Sequence, residues 1–507
     1  MNGIRHWKIF VFIGVVAIVG IIACGGVMTS ICDNDSLQCR LKPSLLVFAL
    51  VSFSGISLWF AKHRGLPLEW IFLAMFMPIS IGMMWVMPVT GAPDEPSHLH
   101  RAYLVSSGQV FIPPDKATAP AGLFAPFSGK WTTYSLRNLK HDFCHCGDIR
   151  GPKVPSGARE NTGVYPFFAY LPQATGMFVA RQVSNNKFVM FYGARSGALL
   201  LVIAMFFLAV RLAPCGKNII LFISLLPMTL QESASAVVDG LAIACVTLLT
   251  ALVLRSRVEG FLMARRHIVL CAFLSVGLVA FKVMYLPFAA LFLFVPVEAF
   301  GGDVRRRRIF RCIVFGAMVA SFAAWAAMSI VPLLGQASSR VSSMAMPRIK
   351  MVLMHPLDFA ICILRTVMWR FENWLDEMIG MKLSWYNVPL ARSLKYLVIA
   401  LGGWVVCHDS GLSSGRMASL RVPLAICSLA SFLVVLFALF VWWTEDGSLT
   451  VEGVQGRYYL PFLAALLLSL RRPRPNAHVV CPRLWGVYCL LLFVDVCTLM
   501  KVVAVKY

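Results

Sequence analysis

The sequence predicts an all-α, polytopic integral membrane protein with about 13 transmembrane helices. The chain has 507 residues, of which 59% are hydrophobic and 14% are charged, whereas about a quarter of the residues of a soluble protein are charged. Apolar runs recur at lengths close to the roughly 20 residues that a helix needs to cross a bilayer. Basic residues cluster in the short connectors between these runs, so the net charge of +23 fits the positive-inside rule. No nucleic-acid partner is expected.

The predicted spans divide the chain into three regions. A transmembrane hairpin occupies residues 1–66, a membrane core residues 67–470, and a basic loop with a last span residues 471–507. The first apolar run is longer than the core of a signal peptide and is predicted to be a retained span. The spans are predicted at about 9–29, 44–61, 68–89, 188–210, 218–232, 236–254, 268–281, 284–300, 309–333, 393–407, 420–443, 458–470 and 484–503.

The charges of the short connectors predict the orientation of these spans. With a cytoplasmic N-terminus, all the basic connectors fall on the cytoplasmic side, including the run Arg305–Arg308. Two long segments, 90–187 and 334–392, then lie outside. Each contains an amphipathic stretch, "GVYPFFAYLPQATGMFVARQV" or "HPLDFAICILRTVMWRFENWLDEMIG". We predict that both form helices at the outer interface; the alternative for either is an additional span.

The stretch "GAPDEPSHLHRAY", residues 91–103, follows a predicted span and places polar side chains beside the membrane. Asp94 and Glu95 lie between two prolines, which also fits a simple helix start. His98 lies four residues from Asp94 and three from Glu95, on the same helical face. A carboxylate here is a candidate general base. The carboxylates with His98 are also candidates for binding a divalent metal, and both alternatives stay open.

Other polar side chains are predicted at the same outer surface. They are Glu232, Ser233 and Asp239 in one external turn, Lys282 and Tyr285 between two apolar runs, and Gln455 and Arg457 at the start of a span. Each has a structural interpretation as well, such as snorkelling, helix capping or anchoring at headgroups. Their convergence on one surface favours a functional site.

Two cysteine-containing loops are weaker candidates. The stretch "HDFCHCGD" offers His141, Cys144, His145 and Cys146 as zinc ligands, although their spacing is unlike the usual pairs. A disulfide in the outer loops, involving Cys32 and Cys39, is an equal alternative. Neither interpretation is adopted.

Taken in order, the motifs resemble the bacterial membrane-protein family called domain of unknown function 2142. The motifs are "PDEPSHLHRAY" with Gly108 after it, "YPFFAYLP", "YGARSG", "LPMTLQESASAVVDGLA", "FKVMYLP", "HPLDF" and "GVQGRYYLP", and they cover roughly residues 85–470. This family in turn resembles the C-type (GT-C) glycosyltransferases. The resemblance implies a GT-C-like protein of the bacterial plasma membrane whose active site faces outside.

The resemblance also implies an enzyme that moves a sugar from a polyprenyl-phosphate donor to an envelope glycan, lipid or glycoprotein. Asp94, with Glu95 beside it, matches the acidic position that serves as catalytic base or supports it. The side chains implied for the donor phosphate are Arg457, Lys282 and Arg195. Those expected to contact substrate are His98, Arg101, Tyr285, Asp239 and Gln455. No cofactor is expected other than a divalent metal at Glu95 and His98, which stays open.

Two other functions fit the same sequence. A transporter or a flippase for lipid-linked sugars would need an inverted repeat or charges near the bilayer midplane. A non-catalytic envelope assembly protein would use the acidic residues only as helix caps. The polar residues gather at one face, no convincing repeat is found, and there is no Walker motif. We therefore favour the enzyme.

Overall fold

The computed structural model describes residues 38–110, 117–123, 136–149, 152–155, 165–327, 340–409, 418–471 and 484–506. Within these ranges the chain is overwhelmingly helical, and the described strands form two small antiparallel pairs. The prediction of an all-α membrane protein is confirmed.

The elements follow the apolar runs of the sequence. The helices of the first half are α1 (Gln38–Arg64), α2 (Leu68–Val86), α3 (Glu95–Ser106), α4 (Leu136–His145), α5 (Leu171–Val183), α6 (Lys187–Leu212), α7 (Lys217–Ser224), α8 (Pro227–Ser233) and α9 (Asp239–Ser256). Those of the second half are α10 (Arg265–Phe281), α11 (Leu286–Ala289), α12 (Val304–Trp325), α13 (Arg340–Met354), α14 (Pro356–Ile379), α15 (Arg392–His408), α16 (Arg421–Trp442), α17 (Leu460–Leu470) and α18 (Leu484–Lys506).

Short 3-10 turns and strands complete the described chain. The turns are Phe167–Tyr170, Val283–Tyr285, Ala290–Phe294, Val297–Phe300 and Gly456–Tyr459. Strand β1 (Thr118–Pro120) pairs with β2 (Lys153–Pro155), with Ala119 opposite Val154. Strand β3 (Lys382–Leu383) pairs with β4 (Val388–Pro389), with Leu383 opposite Val388. Both pairs lie in the two long segments that the sequence predicts to be external.

Seven described helices are long and apolar enough to cross a membrane. They are residues Pro43–Arg64 of α1 together with α2, α6, α9, α12, α16 and α18. Helices α13 and α14 meet at a bend of 104° and are either an eighth, broken span or a re-entrant loop. The predicted count of about 13 spans is therefore not supported by the described residues. The first predicted span, 9–29, lies outside them.

Prolines and short helices explain the lower count. The predicted span 218–232 is divided into α7 and α8, where Pro227 begins the second helix. The predicted span 284–300 is a four-residue helix flanked by 3-10 turns. Helix α17 has only 11 residues. Proline interrupts a helix because it lacks the N–H group and clashes with the preceding turn, and a count of apolar residues does not register that break.

Glycines allow two helices to pack closely below the site. A Cβ atom at Gly176 of α5 would lie 2.0 Å from the carbonyl oxygen of Gly193 in α6. A Cβ atom at Gly197 would lie 2.1 Å from the carbonyl oxygen of Pro172. Such small residues let helix backbones approach each other in membranes. The predicted amphipathic helix α5 is therefore packed against α6 along one side, while Phe178, on another side, is exposed.

A buried charged cluster ties three connectors together at one end of the bundle. The Asp409 carboxylate, at the end of α15, accepts hydrogen bonds from the backbone N–H of Gly216 at 2.8 Å and from Asn218 Nδ2 at 2.8 Å. Arg471 Nε, after α17, donates to the same carboxylate at 2.7 Å. We call Asp409, Arg471, Asn218 and Gly216 the Asp409 cluster. All three connectors are among those predicted to be cytoplasmic.

Candidate functional site

The opposite end of the bundle is built around the turn that precedes α3. Asp94 has a left-handed backbone conformation, with φ of 64°, and its carbonyl accepts the first helical hydrogen bonds from Ser97 and His98. Its side chain does not cap the helix. It reaches Arg457 instead, with 2.5 Å between Asp94 Oδ2 and Arg457 Nη2. The Asp94 side chain is 39% exposed and the Arg457 side chain 2%, so Asp94 is the open face of a buried pair.

Glu95 points the other way, into the protein. Arg195 donates to both Glu95 carboxylate oxygens at 2.7 Å, and both side chains are fully buried. The remaining donors of Arg195 bind three backbone carbonyls, those of Met84, Met87 and Pro88. This arrangement does not fit the predicted role of Glu95 in catalysis or that of Arg195 at a donor phosphate. Every N–H of Arg195 is already used, and the pair anchors α3 to α6.

Arg457 also approaches a second carboxylate. Glu232, at the end of α8, has its Oε2 atom 3.5 Å from Arg457 Nη1 and is fully buried. Arg457 Nη1 donates to the carbonyl of Pro93 at 3.1 Å. Its Nε atom has no hydrogen-bond partner within the described part of the chain. The guanidinium therefore bridges two carboxylates and keeps a spare donor, which is the condition for accepting a further anionic ligand.

A second buried ion pair lies beside the first. Lys282 Nζ contacts Asp239 Oδ1, and both side chains are almost fully buried. Lys282 Nζ lies 5.0 Å and the Arg457 guanidinium carbon 5.4 Å from the centre of the Tyr458 ring. The Tyr285 hydroxyl donates to the carbonyl of Tyr458 at 3.0 Å. The two cations therefore flank one aromatic ring, and their common role at a donor phosphate stays a prediction.

His98 forms the wall of the site opposite these cations. Its Nδ1 atom lies 2.7 Å from the Tyr170 hydroxyl, and its ring centre lies 5.9 Å from that of Tyr165. Burial lowers the pKa of His98 to about 4, although the Asp239 and Asp94 charges oppose that shift. His98 is therefore neutral at physiological pH. Burial also raises the pKa of the Tyr170 hydroxyl, which stays protonated.

The positions of Arg101 and Gln455 neither support nor contradict their predicted roles in substrate binding. Arg101 Nη2 donates to the carbonyl of Val110 at 3.4 Å, and its side chain is half-buried. The Gln455 Oε1 atom is buried and accepts no hydrogen bond from any described residue. Both have polar capacity left over, and their roles in substrate binding stay predictions.

A strained hairpin, which the sequence does not predict, covers the Asp94 turn. Ser384 and Tyr386, between β3 and β4, have φ values of 59° and 62°, a conformation that is uncommon for residues other than glycine. The Ser384 N–H donates to Gln231 Oε1 at 2.6 Å, and its hydroxyl donates to the carbonyl of Gly91 at 2.8 Å. Trp385 Nε1 donates to the carbonyl of Thr90. Ordinary residue types occupy these positions, so only the tertiary hydrogen bonds reveal the turn.

The predicted metal ligands do not form a coordination site. Both Glu95 oxygens are bonded to Arg195, and Oε1 also accepts from the backbone N–H of Ala236 at 3.0 Å. In the ranges that the structure describes, no three His, Cys, Asp or Glu side chains are grouped to hold a metal ion. Cys144 and Cys146 are free thiols. Cys32 and the side chain of Cys39 lie outside the described residues.

Sequence reasoning does not predict several of the residues found at the site. Tyr165, Tyr170 and Tyr458 lie within the family motifs but have no predicted role, and Gln231 and Ser384 are not predicted at the site. Tyrosines in apolar surroundings give a signal that is easily mistaken for interfacial anchoring. The regular proximity of "YP" and "YLP" to the predicted outer ends of helices is the feature that could have identified them.

Comparison with known proteins gives one match. No curated protein and no solved structure matches the chain. Residues 76–466 match the family described as "Predicted membrane protein (DUF2142)". This range contains Asp94, Asp239, Lys282 and Arg457, which form the charged part of the site. The chain belongs to this membrane-protein family, domain of unknown function 2142.

Proposed function

We propose that the protein is a membrane glycosyltransferase that takes a sugar from a polyprenyl-phosphate donor and passes it to a hydroxyl of a cell-envelope acceptor. The observation that carries this proposal is a partly exposed carboxylate, Asp94, bound to the buried Arg457, which shares the Tyr458 ring with a second buried cation, Lys282. We place the site at the external face of a bacterial plasma membrane, as the connector charges predict.

The proposed reaction joins the acceptor oxygen to the anomeric carbon of the sugar. The bond between that carbon and the phosphate oxygen breaks, and the electron pair stays with the phosphate. The acceptor proton passes to the carboxylate of Asp94, which acts as general base. Asp94 suits this role because its side chain is the exposed member of its ion pair. Glu95 does not, because its carboxylate is buried against Arg195.

The two cations serve the leaving group. A sugar-linked polyprenyl monophosphate has one negative charge, and the released polyprenyl phosphate gains a second as the bond breaks. Fixed positive groups directed at developing charge lower the barrier most in a site from which water is excluded. Arg457 and Lys282 are both almost fully buried. Asp239 holds Lys282 in place, and Glu232 holds Arg457 from the opposite side to Asp94.

Donor binding also frees the base. In this structure Arg457 Nη2 is bound to Asp94 Oδ2, so that carboxylate oxygen is already occupied by a donor. A phosphate that takes over the guanidinium releases Asp94 beside the sugar. The phosphate gains the Nη2 donor that Asp94 gives up, and the buried Nε donor has no described partner to lose. The donor is therefore expected to bind before the acceptor reacts.

The test is transfer by purified full-length protein, with a panel of radiolabelled polyprenyl-phosphate sugars and an envelope fraction as acceptor. The substitution Asp94→Asn should lower the rate by about 10²–10⁴-fold, the range for loss of a general base. Asp303→Asn is the matched control, because Asp303 is 41% exposed and also paired with an arginine, but lies before α12. Full activity of Asp94→Asn, or no transfer from any donor, would contradict the proposal.

A second candidate function, transport of a lipid-linked sugar, rests on a different residue. Asp495 lies midway along α18, is fully buried, and has no hydrogen-bond partner among the described residues for either oxygen. An ionisable side chain at this depth in a membrane helix is commonly part of an ion or substrate pathway. We rank this function second, because Asp495 is a single residue whereas the Asp94 site brings together five predicted ones.

A further inference from the structure

A polar pocket lies next to the Asp94 site and is not used in the proposed reaction. Its volume is about 260 Å³, just below the roughly 300–1,000 Å³ of sites for drug-sized molecules. It is lined by Arg370, Asn373, Trp374, Glu377, Lys382, Tyr386 and Val454. These residues come from α14, from the β3–β4 hairpin and from the segment before Arg457. A single ring fits such a volume better than an extended chain.

The pocket is fixed to the site by close backbone contacts. The backbone N–H of Gly456 donates to Glu377 Oε2 at 2.6 Å. A Cβ atom at Gly456 would lie 2.1 Å from the carbonyl oxygen of Trp374, so only glycine permits this contact. Gly380, with φ of 96°, packs equally closely on the backbone of Met228. The end of α14 is therefore held directly beside the residue that precedes Arg457.

Polar groups inside the pocket point to a ligand rich in hydroxyls. The Tyr386 hydroxyl is buried and has no hydrogen-bond partner within the described ranges, although the hairpin that holds it is strained. Glu377 supplies an acceptor, Asn373 both donors and an acceptor, and Trp374 an aromatic side chain. A ligand that both donates and accepts hydrogen bonds satisfies this set best.

The charges of the pocket are mixed. Arg370 and Lys382 oppose Glu377, and Lys382 Nζ already donates to Asn373 Oδ1 at 3.2 Å. The Glu377 carboxylate would repel a strongly anionic ligand, and the Arg370 guanidinium would repel a cationic one. An uncharged polar ring is repelled by neither group.

We infer that this pocket binds a sugar ring of the acceptor, and that the Tyr386 hydroxyl hydrogen-bonds that ring. The inference rests on the proposed function, since it assigns the acceptor to the space beside Arg457 and Asp94. A donor sugar in the same pocket would make Tyr386→Phe raise KM for the donor instead of KM for the acceptor, so a transfer assay distinguishes the two occupants. The pocket itself lies between α14, the β3–β4 hairpin and Val454. The acceptor is accordingly a saccharide.

Binding can be measured without knowing the natural acceptor. Full-length protein in lipid nanodiscs is mixed with the methyl glycosides of glucose, galactose and mannose, and bound sugar is detected by saturation-transfer NMR. At least one glycoside should give a signal. Tyr386→Phe should weaken that binding about five- to tenfold, as expected for one lost hydrogen bond.

Tyr459→Phe is the matched control. The Tyr459 hydroxyl is also buried and without a hydrogen-bond partner among the described residues, but Tyr459 does not line the pocket. Neither substitution removes a described hydrogen bond, so both proteins should fold. Equal sugar binding by Tyr386→Phe and the unaltered protein would overturn the inference, as would the absence of a signal from all three glycosides.

A separate measurement tests the proposed function alone. Binding of decaprenyl phosphate, followed by native mass spectrometry, should be weakened by Arg457→Lys and unchanged by Tyr386→Phe. If the unaltered protein does not bind decaprenyl phosphate, the proposed donor site is contradicted. The NMR measurement of sugar binding then still tests whether the pocket binds a sugar. Where a transfer assay exists, Tyr386→Phe should raise KM for the acceptor and leave KM for the donor unchanged.

Discussion

The Asp94 site and the Asp409 cluster are two buried groups of charges at opposite ends of the same helices. Helix α17 joins them, because Arg457 precedes it and Arg471 follows it. The pair α7–α8 joins them again, from Asn218 at its start to Glu232 at its end. Both groups contain an arginine bound to an aspartate, so residue types alone do not tell them apart.

The Asp409 cluster is saturated with hydrogen bonds. Asp409 Oδ2 accepts from Gly216 and Arg471, and Oδ1 accepts from both the backbone and the side chain of Asn218. The side-chain amide oxygen of Asn218, Oδ1, accepts in turn from the Tyr488 hydroxyl. A fully satisfied polar network inside a protein rigidifies it and specifies one arrangement. This cluster fastens three connectors, and within the described part of the chain none of its buried side-chain atoms lacks a hydrogen-bond partner.

The Asp94 site is unsaturated. Arg457 Nε and Gln455 Oε1 have no hydrogen-bond partner within the described residues, and Asp94 is open to solvent on one side. Buried polar groups are normally satisfied, so exceptions call for an explanation. The comparison shows that unused hydrogen-bonding capacity, more than charge, distinguishes the Asp94 site from the Asp409 cluster.

Among the variants that compare the two groups of charges, Arg457→Lys at the Asp94 site is expected to have the largest effect on transfer. The guanidinium contacts Asp94 and Glu232 through different nitrogens, and an ammonium group does not reproduce this fork. Sugar transfer should fall by about 10²–10³-fold, the range for one lost transition-state contact. Arg257→Lys is the control, because Arg257 binds the carbonyl of Phe294 away from the site. If Arg457→Lys transfers sugar at the unaltered rate, the proposed functional difference between the Asp94 site and the Asp409 cluster is contradicted.

The next effect is expected from Asp409→Asn, which tests the saturated cluster. Removing the charge leaves Arg471 buried without its counter-ion, and breaking such a pair costs about 3–5 kcal/mol. The unfolding midpoint in detergent should drop sharply, while transfer per folded molecule stays unchanged. Asp358→Asn, at an exposed position of α14, should change stability by no more than about 0.5 kcal/mol. Loss of transfer without loss of stability would show that this cluster is functional.

A smaller effect is expected from pH at His98, within the open site. Burial lowers the pKa of His98 from 6.5 to about 4, so the unfolded chain binds a proton between these values and the folded protein does not. Stability therefore rises with pH across this window, by about 3 kcal/mol in all, and is fully present above pH 6.5. Unfolding midpoints measured from pH 4 to 7 should show this slope, and His98→Asn should flatten it. An equal slope in both proteins would contradict the burial of a neutral imidazole.

The smallest effect is expected from Asp495→Asn. This carboxylate has no described partner to lose, so stability should change by less than about 1 kcal/mol or improve. Sugar transfer should be unaffected, because Asp495 lies in α18 and takes no part in the Asp94 site. Loss of cellular function, with normal membrane insertion and normal sugar transfer in vitro, would favour transport and give Asp495 a functional role of its own.

The helices could be predicted from the sequence, but their number as spans could not. Every predicted span within the described residues overlaps a helix, although 284–300 contains only a four-residue α-helix between 3-10 turns. Apolar composition decides which segments enter the membrane. Whether α7 and α8 form one straight helix depends on Pro227 and on how α17 packs against α7. The bend between α13 and α14 also follows from packing, which hydropathy does not encode.

The site was predicted in part. Placing Asp94, Asp239, Lys282, His98 and Arg457 on one surface brought together residues that do meet in the structure. The neighbouring acids Asp94 and Glu95 could not be separated by sequence, because the left-handed backbone at Asp94 turns one carboxylate outward and the other inward. For the same reason the sequence does not show that Arg195 is held inside the protein. Its charge is evident, whereas the three backbone carbonyls that it contacts are brought near by the fold alone.

The Glu95–Arg195 pair also bears on how the chain enters the membrane. Arg195 lies well inside α6, where an unpaired charge is costly in lipid. Its partner precedes it by 100 residues, so Glu95 has already been synthesised when α6 emerges from the ribosome. Glu95 is therefore translated before Arg195, so the carboxylate is present when the guanidinium is made. A circular permutation that reversed this order would ask the insertion machinery to hold a lone guanidinium until its counter-ion was made.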